Sequence, residues 1–315
     1  MSSSHPNAVA SQRSTDTAKR RHHSTNMRNW IPDQPGAWFM ALLPAISGIV
    51  IGGATPTTIW LLIAWILCYC VQFTASRWLR SRLARRYATP VLIYTVLLAI
   101  IGLPFIIVNP GILRWAPIYV FLAFASFVAA WLRQERSLWG NAVAIIAACL
   151  MATIVVSASN SSMMCTGNAA HSAYCLTNAH NEFDLFLHKL PTLETWWSAS
   201  ALPILGILAT TIFTVEQFSS VLFVKTMIRE RNNRQFLWAS WIWHAALLVT
   251  AIVVGMLTGL WWTSMLPTIV TIWLLMRAIV LPTIARRQAI KPIVVGMIEM
   301  VSSLLTFAVV LAITI

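Results

Sequence analysis

The sequence predicts an all-α polytopic membrane helix bundle of about nine transmembrane helices, with its N-terminus inside and its C-terminus outside. Three observations carry this. At 58% hydrophobic and 10% charged, with a mean hydropathy of +0.72, the 315-residue chain is too apolar for a soluble domain. Nine stretches of roughly 18 to 24 residues are each long enough to cross a ~30 Å hydrocarbon core as a helix. When they alternate from a cytoplasmic N-terminus, only Arg114 and Lys189 of the 22 Lys and Arg residues fall on the far side. That is the positive-inside bias, and it sets both the span count and the orientation.

Taken in order, residues 1–29 are basic, rich in Ser and Thr and without apolar periodicity, so they read as a disordered cytoplasmic tail. The first apolar segment lies too far in and is too long to be a signal peptide. Met27, just before the ordered part, offers an alternative start that would leave the first 26 residues an over-long assignment. Residues 30–315 form one transmembrane domain, with spans at 37–54, 58–76, 89–108, 113–132, 138–157, 200–224, 236–255, 263–284 and 292–314. Inner loops carry Arg77, Arg80, Arg82, Arg85 and Arg86, then Arg133 and Arg136, then Lys225, Arg229, Arg231 and Arg234, then Arg286, Arg287 and Lys291. Tryptophans fall at the span ends. Trp78, Trp131, Trp139 and Trp238 mark inner boundaries, and Trp115, Trp196, Trp197, Trp261 and Trp262 outer ones, as two aromatic belts would. The stretch 256–264 reads either as an outer loop or as part of a bent hairpin. Gly48-x-x-x-Gly52 and Gly255-x-x-x-Gly259 allow close helix contact, more readily within the bundle than across a dimer face.

The one long loop, 158–199, is external and holds Cys165 and Cys175, a pair expected to form a disulfide on an oxidising outer face. It also holds His171, His180, Glu182, Asp184 and His188. Their spacing matches no fixed ligand pattern, so neither a metal nor another cofactor is expected. A net charge of +13 would suggest nucleic acid in a soluble protein. Here the cations sit in short inner loops, where orientation and the anionic headgroups of the lipid bilayer account for them, so no nucleic-acid partner is expected.

The sharpest chemical signal is a set of four ionisable residues on the last four spans. Glu216 lies nine residues before Lys225, His244 ten after Arg234, Arg277 nine before Arg286 and Glu299 eight after Lys291. At ~1.5 Å per residue each is ~12 to 15 Å deep, near the bilayer midplane. Ionisable groups there are costly, face the bundle interior and pair with one another. They read either as a site for a polar substrate or proton relay, or as a buried pairing that fixes helix assembly. At the inner ends, Glu135, Arg136, Lys225, Arg229 and Arg231 form a mixed-sign rim able to hold an anion, against the plainer reading of orientation charge. Glu230 is spaced to pair with Arg234 one turn on.

Four short motifs fall in order along the chain. They are W-I-P-D-Q-P-G-A-W at 30–38, R-Q-E-R-S-L at 133–138, V-K-T-M-I-R-E-R at 224–231 and K-P-x-x-x-G-x-x-E at 291–299. In these the chain resembles the YwiC-like family of bacterial integral membrane proteins over about residues 30 to 315. The resemblance implies a multi-pass protein of the bacterial plasma membrane and brings no reaction with it. Two departures stand out. Asp33, Gln34 and Pro35 replace the family's usual Lys-Gln-His before Gly-Ala-Trp, and Gly140 and Asn141 stand where the family tends to an acid.

Three functions fit. A carrier or permease for a small polar solute would use the midplane cluster, as secondary transporters do, although no internal repeat is evident. A membrane enzyme acting at the cytoplasmic face on a lipid or polyprenyl substrate is the second. Nine spans suit the UbiA-type prenyltransferase architecture, but only Asp16 and Asp33 lie outside the outer loop, too few for magnesium-diphosphate chemistry. A non-catalytic accessory subunit of a membrane complex is the third.

Overall fold

The computed structural model describes residues 30, 35–159, 203–231, 233–258, 261–287 and 290–314. Among these it is all-helical, with nine long α-helices. They are α1 (Pro35–Gly52), α2 (Pro56–Arg80), α3 (Arg85–Val108), α4 (Ala116–Trp131), α5 (Leu138–Ser157), α6 (Ile204–Val224), α7 (Arg234–Thr258), α8 (Trp261–Arg287) and α9 (Pro292–Thr314). Eight of the helices are long and apolar enough to cross a membrane, and the shorter Gly36–Gly52 segment is the ninth. Each coincides with a predicted span to within a few residues. A 3-10 helix (Pro110–Trp115) leads into α4, and one π-helical turn (Lys225–Arg229) continues α6. Residues 259 and 260, between α7 and α8, lie outside the described residues, and the two helices pack against each other.

Polar residues set the helix ends. Thr55 and Thr58 exchange side-chain and backbone hydrogen bonds in a capping box, with Pro56 at the first position of α2. Ser137 caps α5 by accepting from the Gly140 amide at 3.1 Å. At the end of α4, Arg133 takes the left-handed conformation, φ 58°, while the Gln134 amide reaches back to the Ala129 carbonyl at 2.8 Å. This closes the last turn as glycine usually does.

The centre of the bundle is α5, where Ile145, Cys149 and the run Met151–Val156 are buried on every side. A helix apolar all round belongs in the interior. α1 and α6 flank it, α9 packs on both of those, α2 to α4 close one side and α7 with α8 the other. Gly48 of α1 and Gly206 of α6 press against α5. A Cβ at Gly48 would lie 2.8 Å from the Ala152 carbonyl, and one at Gly206 would lie 2.8 Å from the Thr153 Cα. Gly48-x-x-x-Gly52 therefore serves packing within the chain. α3 presents Leu92, Val96, Ile100, Leu103 and Ile107 outward, one apolar stripe for lipid.

Of the prolines inside helices, Pro44, Pro90, Pro104, Pro267 and Pro282, two have the carbonyl they orphan met by a side chain of a neighbouring helix. Pro44 has no N–H, so the Met40 carbonyl loses its partner within α1; the Gln217 amide of α6 donates to it at 3.0 Å. Pro282 likewise orphans the Ala278 carbonyl in α8, and the Trp241 indole of α7 donates to that oxygen at 2.9 Å. In a hydrocarbon interior this repair must come from protein groups.

Trp115 departs from its predicted place in the outer belt. It is buried, its indole donates to Ser157 Oγ at 3.1 Å, and it packs with Phe105, Met151 and Ile154. Trp131, Trp139 and Trp238 are exposed, as belt residues should be. The tail, Cys165 and Cys175 with their expected disulfide, and His171, His180, Glu182, Asp184 and His188 of the predicted outer loop lie outside the described residues, as does Gly259.

Candidate functional site

Glu216, Arg277 and Glu299 are brought together by α6, α8 and α9. Arg277 donates from Nη1 to Glu299 Oε1 at 2.5 Å and to Ser302 Oγ at 2.9 Å, and from Nη2 to Ser220 Oγ at 3.3 Å. Its guanidinium lies 4.9 Å from the Phe223 ring centre, a cation–π contact. Ser220 in turn donates to Glu216 Oε1 at 3.2 Å, and Ser303 donates to the same oxygen at 3.4 Å. One hydroxyl thus stands between the guanidinium and the second carboxyl. The Trp273 indole donates to Ser302 Oγ at 3.1 Å, holding that hydroxyl in place. Arg277 and Glu216 are each 3% exposed, while the Glu299 side chain keeps 12%.

His244 is fully buried and makes no hydrogen bond to the other three, although the Arg277 charge acts on it. Its Nδ1 lies 2.6 Å from the Ser240 carbonyl on its own helix. A carbonyl only accepts, so Nδ1 carries a proton, and in the neutral ring Nε2 then presents a bare lone pair. Four atoms of this set find no hydrogen-bond partner among the described residues: Glu216 Oε2, Glu299 Oε2, Arg277 Nε and His244 Nε2.

The serines that tie the network together were not among the predicted site residues. A signal was present, because Ser220 stands four residues after Glu216, and Ser302 and Ser303 three and four after Glu299. Those spacings put hydroxyl and carboxyl on one helix face.

The rim residues meet at one end of the bundle. Arg80 pairs with Glu135 at 3.0 Å, which ties α2 to the α4–α5 connection. Lys225 Nζ donates to the Arg136 carbonyl at 2.9 Å, and Arg231 donates to the Ala285 carbonyl near the end of α8. Arg229 feels repulsion from Arg136, and Lys225 from Arg229. Glu230 does not pair with Arg234 as its spacing suggests; it accepts from the Asn233 side-chain amide at 3.0 Å. The closer donor in the turn wins.

Comparison with known proteins agrees with the motifs. The family model described as YwiC-like protein matches residues 31–156, which is α1 through α5. An uncharacterised protein of Haemophilus influenzae is 26% identical over 223 residues, covering 69% of this chain and 75% of its own. The uncharacterised protein YwiC of Bacillus subtilis is 24% identical over 232 residues, covering 70% and 76%. No solved structure matches. The ionisable network lies on α6 to α9, beyond the family-model match. This is a multi-pass membrane protein whose first five helices match the YwiC-like family model.

Proposed function

We propose that this protein is a carrier for a small polar solute in the bacterial plasma membrane, with its basic end and N-terminus in the cytoplasm and its C-terminus outside. The observation that supports this is unused hydrogen-bonding capacity deep among the helices. Glu216 Oε2, Glu299 Oε2, Arg277 Nε and His244 Nε2 are buried with no hydrogen-bond partner among the described residues. A purely structural ion pair is expected to satisfy all its polar atoms, since orphaned ones are costly. A polar solute bound between α6, α7, α8 and α9 would meet them, and secondary transporters bind their solutes at such midplane helix interfaces.

A second reading draws on the rim. Glu135 pairs with Arg80, Glu230 accepts from Asn233 while also acting on Lys225, and among the described residues Arg136, Lys225 and Arg229 form no ion pair. That arrangement favours an enzyme acting on a phosphorylated lipid or polyprenyl substrate at the cytoplasmic face.

Profiling separates the two. A deletion strain is complemented with wild type or with His244→Gln, and its metabolites and lipids are measured. The carrier reading expects a cellular solute level that wild type restores and His244→Gln, at equal abundance, does not. An altered lipid with unchanged solutes would favour the enzyme. No difference in either would leave a non-catalytic accessory role and sink both.

A further inference from the structure

We propose that Glu216 binds an exchangeable proton inside the bundle and is the coupling group of the carrier. Only the coupling rests on the carrier reading; proton binding stands by itself. Charge balance and geometry carry the inference. The mid-span network holds two carboxyls and one guanidinium. His244 carries its proton on Nδ1 toward the Ser240 carbonyl. Its buried Nε2 meets no acceptor among the described residues that would hold a second, so the ring counts as neutral. With both carboxyls ionised the set is one negative charge in excess, and a low-dielectric interior disfavours that.

The geometry says which carboxyl carries the proton. Glu299 accepts from the guanidinium directly, at 2.5 Å. Glu216 receives only two neutral hydroxyls, at 3.2 and 3.4 Å, and its Oε2 receives nothing. Of the helices packed on α6, α1 has no titratable residue, α5 brings Cys149, α7 brings His244 and α9 brings Glu299; Arg277 reaches in from α8. None supplies Glu216 Oε2 with a donor.

Ser220 makes the proton consequential. Its hydroxyl donates to Glu216 and accepts from Arg277. With Glu216 protonated, Arg277 belongs to Glu299 on α9. When the proton leaves for water, the new carboxylate on α6 competes for the same guanidinium. Proton loss therefore shifts an ion pair between two helices, the kind of two-state element a coupled carrier requires.

The test is infrared difference spectroscopy of the purified full-length protein in lipid bilayers across a pH series, with no solute added. The expected result is a C=O band of a buried, neutral carboxyl that disappears as pH rises. It is absent in Glu216→Gln and kept in the rim control Glu135→Gln. Ser220→Ala removes one hydrogen bond to Glu216 and should move the band to higher frequency, a readout independent of whether Glu216→Gln folds. No titrating band in wild type, a band that persists in folded Glu216→Gln, or one that responds to sodium at fixed pH would overturn the proposal. A titrating Glu216 in a protein whose deletion alters no solute would defeat the carrier reading and the coupling, and leave the proton site standing.

Discussion

Arg277 and Glu299 form a buried ion pair between α8 and α9, and removing one partner should show it. Arg277→Ala leaves the Glu299 carboxylate without its guanidinium in a low-dielectric setting, which costs about 3 to 5 kcal/mol. Arg277→Ala with Glu299→Gln takes away the orphan charge and should recover part of that loss. Fluorescence-detected size-exclusion of heated, detergent-solubilised protein reads the folded fraction, and a single mutant as stable as wild type would contradict the pairing. The four ionisable residues were legible from their depth below the nearest inner cations. Their connecting groups, Ser220, Ser302 and Ser303, were not, because a serine within a span more often bonds its own helix, as Ser219 and Ser47 do here. Trp115 was misplaced for a related reason. An indole near a span end suits the headgroup belt, whereas here the Ser157 hydroxyl gives the N–H an acceptor and Phe105, Met151 and Ile154 give the ring its packing.

Among elements, the helix ends were readable because each span is bounded by polar loop residues, while the contacts between helices were not. Which side chain mends the Pro44 gap depends on α6 lying beside α1, a relation 177 residues apart in the chain. Two substitutions test that repair. Gln217→Leu should leave the Met40 carbonyl bare, and Trp241→Phe the Ala278 carbonyl, each lowering stability by about 1 to 3 kcal/mol. Trp241→Phe retains most of the ring, so a loss of stability there reports the hydrogen bond and not the packing. The Gly-x-x-x-Gly of α1 was visible in the sequence, whereas Gly206 stands alone and acquires its meaning only from Thr153 opposite. Gly48→Val and Gly206→Val should each overpack against α5 and cost about 1 to 3 kcal/mol. Gly36→Ala, with nothing within 4 Å, should change the melting temperature little.

Across the whole molecule, sequence and structure constrain sidedness by different routes. The positive-inside argument treats each loop separately. The structure ties the loops to one another: Arg80 to Glu135, Lys225 to the Arg136 carbonyl, and Arg231 to the Ala285 carbonyl. The ends of α2, α4, α6 and α8 therefore share one face of the bundle, so no single loop can change sides alone. Reporter fusions after Arg86, Arg136, Arg234 and Lys291 should all read cytoplasmic, and fusions at Gly111 and after Ile315 should read external. Because the loops are coupled, removing one basic cluster should not invert one helix pair. With Arg133 and Arg136 both changed to Gln, the remaining clusters still hold the inner face, and the fusion after residue 136 should stay cytoplasmic. A mixed outcome in the unaltered protein, with Arg136 inside and Arg234 outside, would be incompatible with the Lys225 to Arg136 contact and would require a different helix order.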